Sequence, residues 1–192
     1  MPSNTDIRQT IKQARAKLDA GFQFAAGHAV RDQLMDLPAF QAAKNIACYL
    51  AYAGEVPTQP LIDYIWQQNK TCYLPVLKTT PEKHLTFHAY HQDAQLMPNQ
   101  YNIDEPVATA EIAVTDLDLV LVPLVAFDKN CHRLGMGAGF YDRTFALRKQ
   151  QETPLLIGLA YELQKVPELI PEDWDVAMDF VVTEKRVYSK SD

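Results

Sequence analysis

The chain has 192 residues, of which 47% are hydrophobic and 22% charged, and a formal net charge of −6. This length is enough for one substantial core and too short for two ordinary enzyme domains, so we expect a single domain over residues 1–192. The acidic balance disfavours nucleic-acid binding. Because no apolar run reaches the length of a membrane span or a signal segment, we expect the protein to stay in the cytoplasm without a membrane partner. We also expect it to be a monomer.

The first pattern in the chain is that of an amphipathic helix, with apolar residues at helical spacing from Ile7 to Leu18. On another face of this helix, three basic residues at positions i, i+4 and i+7 form a basic stripe: Arg8, Lys12 and Arg15. The stripe is either an ordinary solvated face or an anion-binding surface. A second helical pattern, over 22–37, is predicted to end at Pro38.

Short apolar runs alternate with helical patterns in the rest of the chain. The runs predict strands over 45–52, 71–77, 85–90, 118–128, 155–160 and 179–184. Their low polarity on both faces indicates a mostly parallel sheet covered on both sides, so we expect a three-layer α/β sandwich that binds ligands at the carboxyl ends of its strands. The polar segment 91–111 is predicted to be a long excursion on one rim.

Residues 133–143, RLGMGAGFYDR, place three glycines at alternate positions between a predicted strand and a predicted helix over 140–150. Bare main-chain N–H groups at a helix start bind anions, and the spacing is neither that of a Walker loop nor G-x-G-x-x-G. Arg133 and Arg143 supply positive charge for phosphate, and Asp142 supplies an oxygen ligand for Mg²⁺. Alternatively, the glycines only make a tight turn and Asp142 only stabilises the first helical turn.

The run DLVLVPLVAFDKNCHRLGMGAGFYDR, residues 118–143, resembles the signature of the 5-formyltetrahydrofolate cyclo-ligase family, also called methenyltetrahydrofolate synthetases. GEVPT (54–58), WDVAMDFVVTE (174–184) and the basic amino-terminal helix also resemble the family, so the resemblance extends over most of the chain. It implies a fold related to ribose-5-phosphate isomerase and CoA transferases. It also implies an ATP- and Mg²⁺-dependent ligase that converts 5-formyltetrahydrofolate to 5,10-methenyltetrahydrofolate, ADP and phosphate, by phosphorylation of the formyl oxygen and attack by N10.

The resemblance further implies site residues. Catalytic roles are implied for Arg133, Tyr141 and Asp142, and Mg²⁺ binding for Asp142 and Asp175, although Asp175 is also consistent with a plain loop acid. The residues implied to bind ATP are Arg8, Lys12, Arg133, Leu134, Gly135, Met136, Gly137, Ala138, Gly139, Phe140 and Tyr141. Those implied to bind the folate are Glu55, Tyr101, Gly137, Ala138, Gly139, Phe140 and Tyr141.

The chain departs from the family pattern at three places. Arg8 and Lys12 stand where the family has a lysine and an arginine, so the two charges are exchanged, which matters because ammonium is a point charge and guanidinium a fork. Ala138 stands where many members have glycine or lysine, and Leu124 replaces a glycine that is frequent after the strand proline.

Two other classes of function compete with this interpretation. A non-enzymatic sensor of nucleotide or folate would not need Glu55, Asp142 and Asp175 together with the glycine segment. A ligase or kinase acting on another substrate is excluded less firmly, because the pterin-facing residues are less well defined.

The histidines and cysteines give little support to a metal or disulfide site. His84, His88 and His91 have no nearby cysteine, and in a predicted strand and the turn after it they do not all share one face, which disfavours a zinc site. The cysteines contain no C-x-x-C pair and are expected to be reduced thiols: Cys48, Cys72 and Cys131.

Overall fold

The computed structural model describes residues 2–79 and 83–190; the predicted domain over 1–192 therefore includes a few residues outside the described ones. The helices in the described residues are α1 (Asn4–Arg15), α2 (Ala20–Met35), α3 (Pro38–Ala42), α4 (Gln59–Gln67) and α5 (Phe140–Thr144), with 3₁₀ turns at Val114–Asp116, Ala146–Lys149 and Glu162–Gln164. The strands are β1 (Asn45–Ala47), β2 (Thr71–Lys78), β3 (His84–Tyr90), β4 (Leu96–Pro98), β5 (Asp104–Pro106), β6 (Glu111–Ile112), β7 (Leu119–Pro123), β8 (Ala126–Phe127), β9 (Arg133–Leu134), β10 (Leu155–Leu159), β11 (Phe180–Val182) and β12 (Val187–Ser189).

The main sheet has the strand order β12-β11-β10-β7-β1-β2-β3-β6. Its central strands β11, β10, β7, β1 and β2 run parallel, whereas β12, β3 and β6 pair antiparallel at the edges. The predicted α/β class and mostly parallel sheet are confirmed. After β1 the chain crosses to β2 on one side, and after β7 it crosses to β10 on the other, so a switch point lies between the carboxyl ends of β1 and β7.

Both faces of the sheet are buried. On one face, α2, α3 and α4 pack Val30, Phe40 and Ile62 against the central strands. On the other face the cover is thinner and comes partly from α5 and the turn after it, through Phe140 and Phe145. These unequal layers follow from the sequence, because the segment between β7 and β10 is given largely to loops rather than to a long helix. None of the helices in the described residues has the length and hydrophobicity to cross a bilayer.

Several predicted boundaries are wrong for identifiable reasons. Pro38 does not stop the second helix: α2 ends at Met35 and Pro38 begins α3, a position that suits proline because its missing N–H would be unpaired there. The strand predicted over 45–52 ends at Ala47, after which the chain leaves the sheet. The rim excursion contains its own two-stranded sheet of β4 and β5.

The long apolar run over 118–128 is two strands and not one. β7 ends at Pro123, and after two further residues β8 turns back to pair antiparallel with β9. The turn of this hairpin is fixed by the buried Asp128 carboxylate, which accepts hydrogen bonds from the main-chain N–H groups of Asn130, His132 and Leu169. The hairpin therefore carries the chain away from the sheet and brings β9 directly to the start of the glycine segment.

Candidate functional site

The glycine segment is a loop between β9 and α5 whose conformation requires glycine at two positions. Gly137 has a φ of +101° and Gly139 a φ of +69°, both in a region that side-chain-bearing residues rarely adopt. A Cβ at Gly139 would lie 2.9 Å from Nη1 of Arg143. Arg8 donates from Nε to the carbonyl oxygen of Gly135 at 2.8 Å, so the basic helix α1 is attached to the loop.

Both ends of the loop are anchored in the core. The Leu134 side chain packs in a cluster with α1, and the Phe140 side chain packs under the sheet. Between these anchors Met136 and Ala138 are exposed. Leu134 and Phe140 can therefore offer a ligand their main chain only, whereas the loop between them presents both main chain and side chains to solvent.

The helix after the loop is shorter than predicted. α5 spans Phe140–Thr144 and is followed by a 3₁₀ turn, whereas the sequence predicted a helix over 140–150. The Thr144 hydroxyl donates to the carbonyl of Phe140 and accepts from the N–H of Leu85, which ties this turn to β3. Because a macrodipole is a sum over aligned peptide units, a helix this short contributes little, and anion binding depends on the loop amides and nearby arginines.

Arg133 and Asp142 form an ion pair beneath the loop. Nη2 of Arg133 donates to Oδ1 of Asp142 at 2.5 Å, and the two side chains are only 5% and 16% exposed. The same oxygen accepts a hydrogen bond from the main-chain N–H of Val176 at 3.2 Å. Nε of Arg133 is buried with no partner among the described residues, so this guanidinium retains an unused donor. No pattern in the sequence had indicated that Val176 takes part.

The arginine at the far side of the loop has a different role from the one the sequence suggested. Arg143 donates from Nε to the carbonyl oxygen of Lys83 at 2.6 Å and from Nη2 to the carbonyl oxygen of Ala138. Two of its N–H groups therefore hold the loop against the segment before β3. Arg143 therefore contributes to the shape of the loop at least as much as to the positive charge around it.

The carboxylates predicted to bind Mg²⁺ come from neighbouring segments. Asp175 directly precedes Val176, whose N–H contacts Asp142, and it caps its own turn through the N–H of Glu172. Both contacts to Asp142 use Oδ1, and no described residue hydrogen-bonds Oδ2. Within residues 2–79 and 83–190 there is no group of three or more potential metal ligands. Two carboxylates nevertheless fit Mg²⁺ in a nucleotide site, where phosphates and water supply most ligands.

Glu55 lies in the loop that follows β1, at the same edge of the sheet as the glycine loop. Its Oε2 accepts the main-chain N–H of Tyr52 at 3.0 Å, and its own carbonyl oxygen accepts the Tyr161 hydroxyl at 3.1 Å. Burial raises the pKa of Glu55 to about 7, against the lowering effects of the Tyr52 N–H and of the Arg15 charge. This carboxyl group therefore titrates near neutral pH.

Tyr141 connects the glycine loop with Glu55. Burial raises the pKa of the Tyr141 hydroxyl far above its usual range, and the charge of Glu55 acts in the same direction while Arg133 opposes it. The Arg133 guanidinium lies 5.9 Å from the centroid of the Tyr141 ring. Tyr141 thus stands between the arginine of the glycine loop and the carboxyl group of the β1 loop, as a protonated hydrogen-bond donor.

The basic stripe predicted on α1 is not one surface. Arg8 contacts the glycine loop and Lys12 is exposed, but Arg15 is only 1% exposed and belongs to the buried side of the helix with Ile7 and Ile11. Helical spacing could not reveal this, because the burial of Arg15 depends on the β1 loop that packs over it.

The structure does not join Tyr101 to the rest of the site. This residue is 46% exposed between β4 and β5, where its N–H donates to the side chain of Asn99. Among the described residues, no hydrogen bond or ring contact connects Tyr101 with Glu55 or with the glycine loop.

Two cavities lie beside Asp175. One, of about 190 Å³, lies between the start of α1, β9 and the segment 169–177, and Asn4, Arg133 and Asp175 line it. The other, of about 510 Å³, shares residues 175–177 with the first and otherwise surrounds the ion pair of Arg148 with Asp179. The smaller cavity adjoins the glycine loop, and its lining by Asn4 was not predicted from the sequence.

Comparison with known proteins identifies the family of the chain. The model of the 5-formyltetrahydrofolate cyclo-ligase family matches residues 1–184. A 5-formyltetrahydrofolate cyclo-ligase of Haemophilus influenzae is 41% identical over 174 residues, which cover 90% of this chain and 92% of the relative. The Escherichia coli K12 protein of the same name is 37% identical over 180 residues, which cover 93% of this chain and 98% of the relative.

Solved structures agree as well. A 5,10-methenyltetrahydrofolate synthetase of Aquifex aeolicus is similar with a TM-score of 0.83 and 31% identity, over 98% of this chain and 93% of that one. A synthetase of Mycoplasma pneumoniae, at 22% identity and a TM-score of 0.74, covers 95% of this chain and 99% of that one and supports the fold. The resemblance seen in the sequence is confirmed: the chain belongs to the 5-formyltetrahydrofolate cyclo-ligase family.

Proposed function

We propose that the chain, as a single domain, cyclises 5-formyltetrahydrofolate to 5,10-methenyltetrahydrofolate with conversion of ATP to ADP and phosphate. Family membership supports the reaction. The observation that carries the assignment to this site is the convergence of two loops at the switch point of the sheet. The glycine loop with its arginines meets the Glu55 loop at Tyr141, so a phosphate site and a carboxyl group adjoin each other.

The chemistry explains why both halves are needed. A formamide carbonyl is a weak electrophile, and its oxygen cannot leave readily. When the formyl oxygen attacks the γ-phosphorus of ATP, ADP departs and the oxygen becomes part of a phosphate. N10 then attacks the formyl carbon, and phosphate leaves with that oxygen as N10 loses its proton. The protein must align oxygen with phosphorus and hold positive charge around the transferring group.

The nucleotide half of the site is the glycine loop and α1. Main-chain N–H groups of the loop and the Arg8 guanidinium, already 2.8 Å from the Gly135 carbonyl oxygen, are suited to the phosphates. Arg133, with its unused Nε donor and its partner Asp142, supplies charge under the loop. The residues proposed to hold ATP are Arg8, Lys12, Arg133, Leu134, Gly135, Met136, Gly137, Ala138, Gly139, Phe140 and Tyr141.

The folate half lies around Glu55. An ionised Glu55 accepts hydrogen bonds from N–H groups of the pterin, and the Tyr141 hydroxyl is a donor beside it. The loop from Gly137 to Tyr141 borders the folate as well as the nucleotide. Tyr101 enters this half of the proposal only if the rim carrying β4 and β5 approaches the bound folate.

Mg²⁺ is proposed as the metal, held by Asp142 and Asp175 together with phosphate oxygens of ATP. The ion supplies positive charge that offsets the negative charge of the triphosphate. In this arrangement Asp142 has a second function, because its Oδ1 holds the Arg133 guanidinium at 2.5 Å beneath the glycine loop.

The proposed enzyme is a monomer of the cytoplasm that acts on two small molecules, without a nucleic-acid or membrane partner. The cysteines are buried, and within the described residues they form no disulfide with one another, which fits a reducing compartment: Cys48, Cys72 and Cys131. Size-exclusion chromatography with light scattering checks the monomer, and a mass near 43 kDa, twice the 21.7 kDa of the chain, would contradict it.

The experiment that tests the function follows a chromophore. Purified protein is mixed with 5-formyltetrahydrofolate and MgATP, and the conjugated methenyl product is followed by absorbance while ADP is measured separately. We expect equal amounts of both products and none when either substrate is omitted. Tight binding without product would indicate a sensor, and ADP without methenyl product would indicate a kinase or ligase acting on another substrate.

A further inference from the structure

Arg15 is a buried arginine whose hydrogen-bonding capacity is largely unused. Its side chain is 1% exposed, and Nη2 donates to the carbonyl oxygen of Ala53 at 3.0 Å. Nε and Nη1 are buried and have no partner among the described residues. Burial of a charged group with unmet donors is costly, and an apolar side chain would fill the same space at lower cost. Stability alone therefore does not account for an arginine here.

The single hydrogen bond of Arg15 is made to the turn that carries Glu55. In this turn Ala53 has a φ of +49° and Gly54 a φ of +75°, so two consecutive residues are left-handed. For a residue with a Cβ such as Ala53, this conformation is unfavourable, because the Cβ crowds the following carbonyl oxygen. A Cβ at Gly54 would lie 3.9 Å from the Cβ of Arg15, which places the turn directly against α1. Arg15 thus braces a turn that the chain would not otherwise favour.

Arg15 also supplies the positive charge that faces Glu55. Burial raises the pKa of the Glu55 carboxyl group, and Arg15 opposes that rise. The other titratable groups that interact with Glu55 in the described residues are Tyr49 after β1, Tyr141 in α5 and Tyr161 after β10. All three hydroxyls have a pKa that burial raises above the usual value, so they are uncharged near neutral pH. Arg15 is consequently the cation that balances Glu55.

We propose that Arg15 is a positioning residue of the reaction, which fixes the turn that aims Glu55 at the formyl folate and balances the charge of that carboxylate. The inference rests on the proposed role of Glu55 in holding the folate. Arg15 acts through Glu55 and through the turn, on the folate half of the site. Arg8, on the same helix, acts on the nucleotide half.

The test compares Arg15→Met with Lys17→Met. Methionine keeps much of the apolar stem of arginine and removes its charge, whereas Lys17 is an exposed cation two residues away and controls for the loss of one charge. For Arg15→Met we expect the KM for 5-formyltetrahydrofolate to rise about tenfold or more, as for loss of a charged hydrogen bond, with the KM for ATP unchanged. The acidic limb of the kcat/KM profile should move to higher pH. Lys17→Met should change none of these.

Arg15→Lys separates the two parts of the role, fixing the turn and balancing the charge of Glu55. It also provides the test if the methionine variant does not fold. Lysine keeps the charge without the fork, so the acidic limb should stay near its wild-type position while the KM for the folate rises. Equal rises in both KM values, or an acidic limb displaced as far by lysine as by methionine, would overturn the inference.

The role of Glu55 is tested separately with Glu55→Gln. If this variant keeps the wild-type KM for the folate, the proposed function of Glu55 fails, and the inference about Arg15 fails with it. If Glu55→Gln raises that KM and Arg15→Met does not, only the inference about Arg15 is wrong.

Discussion

Glu55→Gln should make the protein more stable at alkaline pH while it weakens use of the folate. The physical reason is that ionising a partly buried carboxyl group lowers the free energy of unfolding. Burial raises the pKa of Glu55 from 4.5 to about 7, so the unfolded chain releases its proton at lower pH than the folded protein does. Glutamine has nearly the same shape and does not titrate.

The sign and size follow from the two pKa values. Below pH 4.5 both states hold the proton, and Glu55 imposes no ionisation penalty on folding. As the pH rises towards 7 the folded state binds more protons than the unfolded state, so the free energy of unfolding falls, and above about 7 the loss is complete. At about 1.4 kcal/mol per pKa unit, the difference between 4.5 and about 7 corresponds to at most about 3 kcal/mol.

Urea unfolding measured from pH 4 to pH 9 gives the required comparison. The free energy of unfolding of Glu55→Gln minus that of wild type should increase by about 2–3 kcal/mol between the acidic and alkaline ends of this range. Tyr141 and Tyr161 do not contribute, because burial raises the pKa of both hydroxyls well above the range. A difference that is constant with pH, or that decreases as the pH rises, would refute the account of Glu55 burial.

Three further predictions concern other parts of the site and core. Asp142→Asn should lower kcat about 100-fold. It should also lower the free energy of unfolding by about 1–3 kcal/mol, because the buried Arg133 loses its ionised partner. Normal turnover in the chromophore assay would exclude the metal role of Asp142. Arg8→Met should raise the KM for ATP about tenfold with little change for the folate, and initial rates with each substrate varied would expose an equal effect on both. Gly158→Ala should lower the free energy of unfolding, measured with urea, by about 1–3 kcal/mol, since a methyl group would lie 2.6 Å from Cδ2 of Leu124. In the double variant with Leu124→Ala, the total loss of stability should be smaller than the sum of the two single losses.

The contact between Leu124 and Gly158 explains a departure from the family pattern. Leu124 occupies a position where the family often has glycine, and its side chain is buried against Gly158 of β10. The bulkier residue directly after β7 is accommodated because the facing position in β10 has no side chain. No effect on the chemistry of the glycine loop is needed to account for it.

Local patterns in the sequence were enough to predict the class of fold and the position of the glycine loop along the chain. Apolar runs and helical spacing depend on local geometry, so they predicted the alternation of strands and helices, and consecutive short-range signals placed the loop directly before α5. The family resemblance followed from the same contiguous residues. Boundaries were less accurate, because Pro38 can begin a helix as well as end one and because Pro123 ends β7 inside an apolar run.

The contacts of the charged side chains, in contrast, depend on how distant segments pack together. Arg8, Lys12 and Arg15 look alike at helical spacing, yet one contacts the loop, one is exposed and one is buried, because different parts of the chain pack against each turn of α1. Likewise Asp142 meets a main-chain N–H that is 34 residues away in sequence. Helical periodicity fixes which way a side chain points from its own helix, but its partners and its solvation depend on distant segments that no local pattern describes.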